Sequence, residues 1–166
     1  KKEISSLNEI VDRVCHFVDV QAKTKLVKIE KSLDTSIPAV LLDVSAVESA
    51  VLNITINAID AMSGGGILKF LSKSGDRQEA GLPEGSKMAL LEIADTGRGI
   101  PPESLSKIFT PFYTTKEQGT GMGLYSAKAS IEQSGGKIFC QSEPGATKFT
   151  LAFPINAAPA SAKTHS

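Results

Sequence analysis

Apolar residues near the start of the chain recur at spacings of three and four: Leu7, Ile10, Val11, Val14 and Val18. That spacing writes one face of a helix of about 3.6 residues per turn, so residues 7–22 are predicted to form an amphipathic helix. Val27 and Ile29 then alternate with lysines, which reads as a short half-buried strand over 26–31. Pro38 precedes a compact apolar run at 39–42, a second short strand or an extended entry. Asp43 follows as an N-cap, because its carboxylate can accept from the free N–H groups of a first helical turn. The helix it opens should run to about Met62, where Ser63 and the glycines at 64–66 stop it. Apolar segments at 67–71 and 88–94 predict paired strands around a polar, Gly- and Pro-bearing insertion at 72–87. Residues 95–123 are dense in Gly, Pro and Thr and read as one long loop with a short helix near 103–108. A helix over 122–134 ends at Gly135 and Gly136, and strands at 137–142 and 148–153 close the pattern.

Hairpins separated by single helices predict an α/β (α+β) two-layer sandwich: a mixed, largely antiparallel sheet of about five strands, with three main helices on one face. Residues 1–154 are expected to be one domain, and the Ala/Ser/Pro-rich residues 155–166 a disordered tail or linker. An irregular loop of about 25 residues is unusual inside a compact domain and generally serves as a lid or binding loop.

Composition narrows the classes of function. The 166 residues carry 18 Lys+Arg against 18 Asp+Glu, which removes the electrostatic footprint of a general nucleic-acid binder. No apolar run approaches the roughly 18–20 residues that span a bilayer, so no membrane contact is expected of this domain. Cys15 and Cys140 lie far apart without metal-ligand spacing, which fits free thiols in a reducing cytoplasm and excludes a disulfide scaffold. The chain opens on Lys1 rather than Met, as a piece of a longer protein with any membrane anchor elsewhere would.

Four segments carry candidate chemistry. On the second helix Asn53, Asn57 and Asp60 share a face at i, i+4 and i+7, against an apolar stripe of Val47, Val51, Ile54, Ala58 and Ala61. A polar seam on such a helix is expensive, since a buried amide without partners costs about 1–3 kcal/mol. Either the amides tie down neighbouring loop backbone, or they face a polar ligand: an amide oxygen suits Mg²⁺ and its NH₂ can donate to phosphate. Next, Asp95 ends an apolar strand and leads into Gly97, Arg98, Gly99 and Ile100. Alone this is a common turn, yet the glycines admit a flat ligand, and an ionised carboxylate accepts from the amine of adenine while repelling guanine's carbonyl. Gly119, Gly121 and Gly123 alternate ahead of a helix, where uncovered N–H groups and the helix dipole suit phosphates. This is neither the phosphate loop nor the dinucleotide fingerprint. Inside the long loop, Phe109, Phe112 and Tyr113 read as anchors that bury against the body, followed by Thr114, Thr115 and Lys116.

Taken in this order, the four segments resemble the ATP-binding catalytic domain of bacterial two-component sensor histidine kinases. There they are the N box (53–62), first glycine box (95–100), F box (109–116) and second glycine box (119–124). The likeness covers residues 5–154, includes the closing hairpin from Ser142 to Pro154, and leans towards the nitrogen-regulation type. It implies the Bergerat fold, with ATP held under a long flexible lid and Mg²⁺ as the accompanying metal.

Residue by residue, the resemblance implies that Asn57 coordinates Mg²⁺ and that Asn53 sits beside metal or phosphates. Asp95 would bind the adenine amine, helped by a water and Thr147. Gly97 and Gly99 would line the base pocket, and Gly119, Gly121 and Gly123 the phosphates. Lys116 would reach phosphate from the lid, so that catalytic work falls to Asn53, Asn57 and Lys116. Asp60, Ala61, Ile100, Phe109, Thr114, Thr115, Thr120, Met122 and Leu124 complete the implied nucleotide contacts. Two positions depart from the family. Asp60 stands where many relatives place a basic or aromatic residue, leaving Arg98 or Lys116 as the cation, and Ala146 replaces the usual second glycine before Thr147.

The phosphoacceptor is missing. His16 lacks the proline that follows some turns after such histidines and reads as an ordinary helix residue, and His165 lies in the tail. The accepting histidine is therefore expected on a separate dimerising helical domain that passes the phosphoryl group to a response regulator. The isolated domain is expected to be monomeric, cytoplasmic and a poor ATPase. Gyrase-, chaperone- and mismatch-repair-type ATPases share the fold but place a general-base Glu one turn before the metal Asn. Here that position is Asn53, and Glu48 lies about 140° away around the helix. An amide cannot act as a general base, which disfavours both those ATPases and an anti-sigma serine kinase. A degenerate nucleotide-binding module is opposed by the intact Asn57, Asp95 and glycines.

Overall fold

The structure is a computed structural model and describes residues 2–62, 64–76, 87–111 and 123–155. Its elements run β1 (Glu3–Ser5), α1 (Leu7–Thr24), β2 (Val27–Leu33), β3 (Val40–Leu42), α2 (Val44–Asp60), β4 (Gly66–Asp76), β5 (Lys87–Asp95), α3 (Pro102–Leu105), α4 (Gly123–Gln133), β6 (Lys137–Glu143) and β7 (Ala146–Pro154). Five strands form the main sheet in the order β2-β4-β5-β7-β6. Only β2 and β4 pair in parallel, and the other neighbours are antiparallel. The mixed, largely antiparallel sheet expected from the sequence is present.

The expected hairpin of the second and third segments is not. β3 pairs with β1 in a separate two-stranded sheet, and β2 pairs in parallel with β4. A parallel pair cannot be joined by a tight turn, and the stretch containing α2 supplies the crossover. β1 itself is not predicted from the sequence; with only three residues it has too little alternation to read.

Helix α1 buries Leu7, Ile10, Val11, Val14 and Val18, the stripe that predicted it, and Ser6 caps it by accepting from the Glu9 N–H. Asp43 caps α2 as expected, accepting from the Ala46 N–H at 3.1 Å. α2 is wedged between α1 and α4 and buries Val47, Val51, Ile54 and Ile59. These side chains meet Leu68 and Phe70 of β4 and Leu91 and Ile93 of β5 in the main core. A smaller cluster of Met88, Leu90 and Ala152 with Phe139 occupies the sheet's other face. The helix near 103–108 is confined to α3, a single turn.

One row of directly opposed residues crosses the sheet and sets up the site. Ile29 faces Leu68, Leu68 faces Asp95, Asp95 faces Thr147, and Thr147 faces Ser142. The row is apolar on β2 and β4 and polar on β5, β7 and β6, so the sheet changes character halfway along one line.

Candidate functional site

The polar end of that row opens into a cavity of about 1000 Å³ between α2, the loop after β5, the start of α4 and the β6–β7 hairpin. Asp95 lies on its floor, only 6% exposed. One carboxylate oxygen accepts from the Gly97 N–H at 2.8 Å, which leaves the other for a ligand. Burial pushes the Asp95 carboxyl above its usual range, opposed by the Gly97 hydrogen bond and by the Arg98 charge. Thr147 is buried beside it and also lines the cavity.

Helix α2 supplies the opposite wall. Asn53 and Asn57, one turn apart, both line the cavity, as does Ala61. The backbone-tying reading of the amides holds for Asn53, whose Nδ2 donates to the Gly123 carbonyl at 3.4 Å and so ties α2 to the mouth of α4. Gly123 and Leu124 of α4 line the same space, as do Gly99 and Ile100. Both glycines of the β5 loop are explained by crowding. A Cβ on Gly97 would fall 2.7 Å from the Ala61 carbonyl oxygen, and one on Gly99, where φ is +85°, would fall 2.5 Å from the Glu143 carbonyl oxygen.

Three expected contacts are placed otherwise. Asp60 is not among the described residues lining the cavity: its carboxylate meets Lys25 at 3.3 Å. Neighbouring helical residues point about 100° apart, so Ala61 can face the cavity while Asp60 turns to the end of α1. Phe109 is also absent from the lining; its ring packs edge-on against Phe149, centroids 6.2 Å apart, and Phe149 forms the wall. Phe109 is thus a loop anchor. Gly97 supports Asp95 from behind the lining. Thr114, Thr115, Lys116, Gly119, Thr120, Gly121 and Met122 lie outside the described residues, as does the expected lid.

Sequence reasoning gave no role to Ser142, which lines the cavity, accepts from the Ile100 N–H at 2.7 Å and lies 2.7 Å from the Thr147 hydroxyl. The available signal was strand alternation, which puts Ile138, Cys140 and Ser142 on one face. Arg98, one of the two candidate cations, does line the cavity. Glu48 is held by Arg13 at 3.0 Å on the α1 side of α2 and does not line it.

Among the described residues no three His, Cys, Asp or Glu side chains gather into a metal cluster. A donor set of one or two amide oxygens fits a hard cation that keeps several waters and shares its ligand's phosphate oxygens, which is the habit of Mg²⁺.

Comparison with known proteins supplies the family and the fold. The family model described as histidine kinase-, DNA gyrase B-, and HSP90-like ATPase matches residues 42–157. The sensory histidine kinase/phosphatase NtrB of Vibrio alginolyticus is 35% identical over 158 residues, covering 93% of this chain and 45% of that protein. The sensor histidine kinase ZraS of Escherichia coli K12 is 31% identical over 152 residues, covering 90% of this chain and 30% of that protein. The chain therefore spans less than half the length of these relatives. Among solved structures, the nucleotide-free catalytic domain of histidine kinase ThkA superposes with a TM-score of 0.78 at 26% identity, covering 93% of this chain and 96% of that one. Because the family model covers more than half of the chain and the structural match is close, the chain belongs to the histidine kinase-, DNA gyrase B- and HSP90-like ATPases and has the fold of a histidine kinase catalytic domain.

Proposed function

We propose that this chain is the catalytic domain of a sensor histidine kinase, which holds Mg·ATP and passes its γ-phosphoryl group to a histidine on a separate dimerising helical domain. A response regulator then receives the group. The observation that carries this reading is the convergence of Asn53, Asn57, Asp95, Thr147 and the Gly123 end of α4 on one cavity.

Each group has a task that its chemistry suits. Asp95 accepts from the adenine amine on the cavity floor, with Thr147 beside it. The α4 N-terminus offers N–H groups to phosphate oxygens. Asn57 would hold Mg²⁺ through its amide oxygen, with Asn53 beside it; the bound ion supplies neutralisation of triphosphate charge. Thr114, Thr115, Lys116 and the glycines at 119 and 121 are assigned to the phosphates from the lid. In the transfer, a P–N bond forms at the accepting histidine as the bond from the γ-phosphorus to the bridging oxygen breaks, and ADP leaves with that oxygen. His16 is given no acceptor role, because it lacks the proline that follows some turns after such histidines. Nor does water attack the γ-phosphorus quickly, since Asn53 replaces a general base and Glu48 is engaged by Arg13. No described helix is long and apolar enough to cross a membrane. We place the domain in the cytoplasm, as a monomer when isolated.

Calorimetric titration with ATP and GTP, with and without Mg²⁺, tests the nucleotide reading. ATP should bind and GTP should not, and Mg²⁺ should tighten ATP in the native chain but not in Asn57→Ala. Equal affinity for both nucleotides would sink the assignment of Asp95. Mg²⁺-dependent phosphoryl transfer to a helical domain supplied in trans that survived Asn57→Ala would sink that of Asn57.

A further inference from the structure

The polar row across β5, β7 and β6 ends in a residue to which the catalytic reading gives no work. The Ser142 Oγ lies between two partners: the Ile100 N–H, which donates to it at 2.7 Å, and the Thr147 Oγ1, also at 2.7 Å. A backbone N–H can only donate, so Ser142 acts as acceptor on that side and keeps its own proton to give. Between the two hydroxyls either can be the donor. One polarity has Ser142 donate to Thr147, so that the Thr147 proton turns outward into the cavity. The other has Ser142 accept from both neighbours, and it leaves Thr147 with only lone pairs to offer.

A bound adenine distinguishes the two. Its exocyclic amine donates and is met by Asp95, while its ring nitrogen N1, next to that amine, only accepts. A Thr147 presenting lone pairs would repel N1, whereas a Thr147 presenting its proton satisfies it directly, or donates to a water whose own two protons go to N1 and to the Asp95 carboxylate. We propose that Ser142 is a positioning residue: fed by the Ile100 N–H, it donates to Thr147 and so fixes Thr147 as the donor that reads N1 of adenine. This inference rests on the nucleotide reading given above. The chain of donors runs one way, from Ile100 through Ser142 and Thr147 to the base, and its links polarise one another. Guanine carries the reverse pattern, a carbonyl where adenine has the amine and an N–H at N1, so Asp95 and a donating Thr147 both reject it. Because Ile100 directly follows Gly99, the same chain ties the position of the glycine loop to base recognition.

The test uses 1-deaza-ATP, which keeps the amine but replaces N1 with a C–H. The native chain and Ser142→Ala are titrated calorimetrically with ATP and with 1-deaza-ATP. Ser142→Ala should lower affinity for ATP by about fivefold, the worth of one ordinary hydrogen bond, and leave 1-deaza-ATP within about twofold. In a Thr147→Val background the Ser142→Ala change should no longer alter ATP affinity. If Ser142→Ala does not fold, Ser142→Cys, which keeps the shape with a poorer donor, is read the same way. Equal weakening of both nucleotides would overturn the proposal, because Ser142 would then only hold the loop. So would an unchanged ATP affinity. Failure of the native chain to bind ATP at all would instead overturn the nucleotide reading, and this inference with it.

Discussion

Asp95 and Thr147 stand directly opposite each other on β5 and β7, both buried and both facing the cavity, in a row whose next member is the fully buried Leu68. A leucine at position 95 would continue the core. The chain instead puts a carboxylate there, supported by the Gly97 N–H and the Arg98 charge, and accepts a raised pKa as the consequence. Such a group is destabilising unless a ligand uses it, so folding and binding should make opposite demands on position 95.

Asp95→Asn is therefore expected to separate the two. The asparagine keeps its carbonyl oxygen on the Gly97 N–H and turns its NH₂ towards the cavity, where it meets the adenine amine donor to donor. ATP affinity should fall more than tenfold, since a charge-assisted hydrogen bond is lost and an unpaired donor is created. Stability at neutral pH should not fall. The carboxyl's pKa lies above its ordinary value of 3.8, so the stabilising contribution belongs to the protonated form. That contribution is complete below the unfolded pKa and is lost as pH rises through the folded one. Thermal unfolding should show the Asp95→Asn variant equal to or above the native chain at pH 7, with the difference narrowing in acid. ATP affinity of the native chain should likewise drop as pH falls through the raised pKa.

Two glycines should behave oppositely. At Gly99 a Cβ would strike the Glu143 carbonyl oxygen and φ is +85°, so Gly99→Ala should cost at least about 1–2 kcal/mol of stability and move the loop that carries Ile100. At Gly123 an added Cβ meets no described residue within 4 Å. Gly123→Ala should thus fold as well as the native chain, and any loss of ATP affinity reflects the approach of phosphate to α4. Paired melting curves and titrations check both, and an undisturbed Gly99→Ala would contradict the clamp between loop and hairpin.

How far the sequence could be read depended on whether an interaction was local. α2 with its Asp43 cap follows from neighbouring residues, and so does the sharing of a face by Asn53 and Asn57. That Asn53, Asn57, Asp95 and Gly123 would be brought to one cavity was foreseeable because each stood in a segment with its own local chemical signal. Strand pairing was less so: periodicity shows that Val40 and Leu42 are buried, but not that their partner is Glu3–Ser5 rather than β2. Asp60 shows the same limit, for its partner Lys25 lies 35 positions away on another helix. The role of Ser142 appears only when the loop after Gly99 is laid on the hairpin edge, a contact spanning 42 positions.

Leu26 should yield stability to a simple replacement. It follows the C-cap of α1 at φ +62°, the one described non-glycine residue in the left-handed region, and its side chain is 73% exposed. A β-carbon there costs roughly 1–2 kcal/mol, while glycine's extra freedom when unfolded costs about 0.5–1. Leu26→Gly is expected to gain up to about 1 kcal/mol in urea denaturation, because the lost side chain buries little. A loss of stability would show that the exposed leucine makes contacts that outweigh its strain.

Thr55 offers the last test, in the middle of α2. Its residue is fully buried, and its hydroxyl has no hydrogen-bond partner among the described residues. An unsatisfied buried hydroxyl costs about 1–3 kcal/mol, whereas valine fills nearly the same space with a methyl group and shares the β-branched preference within a helix. Thr55→Val should therefore raise stability by about 1 kcal/mol, which for a domain of this size is a rise in Tm of about 2–4 °C. Thr55→Ala should instead lower it, since a vacated methyl leaves a void between packed elements. Position 55 lies about 160° around the helix from both Asn53 and Asn57 and does not line the cavity, so ATP affinity should stay unchanged in both variants. If Thr55→Val proves less stable than the native chain, the hydroxyl must be satisfied by a buried water, and a second variant, Thr55→Ser, should then retain more stability than Thr55→Ala.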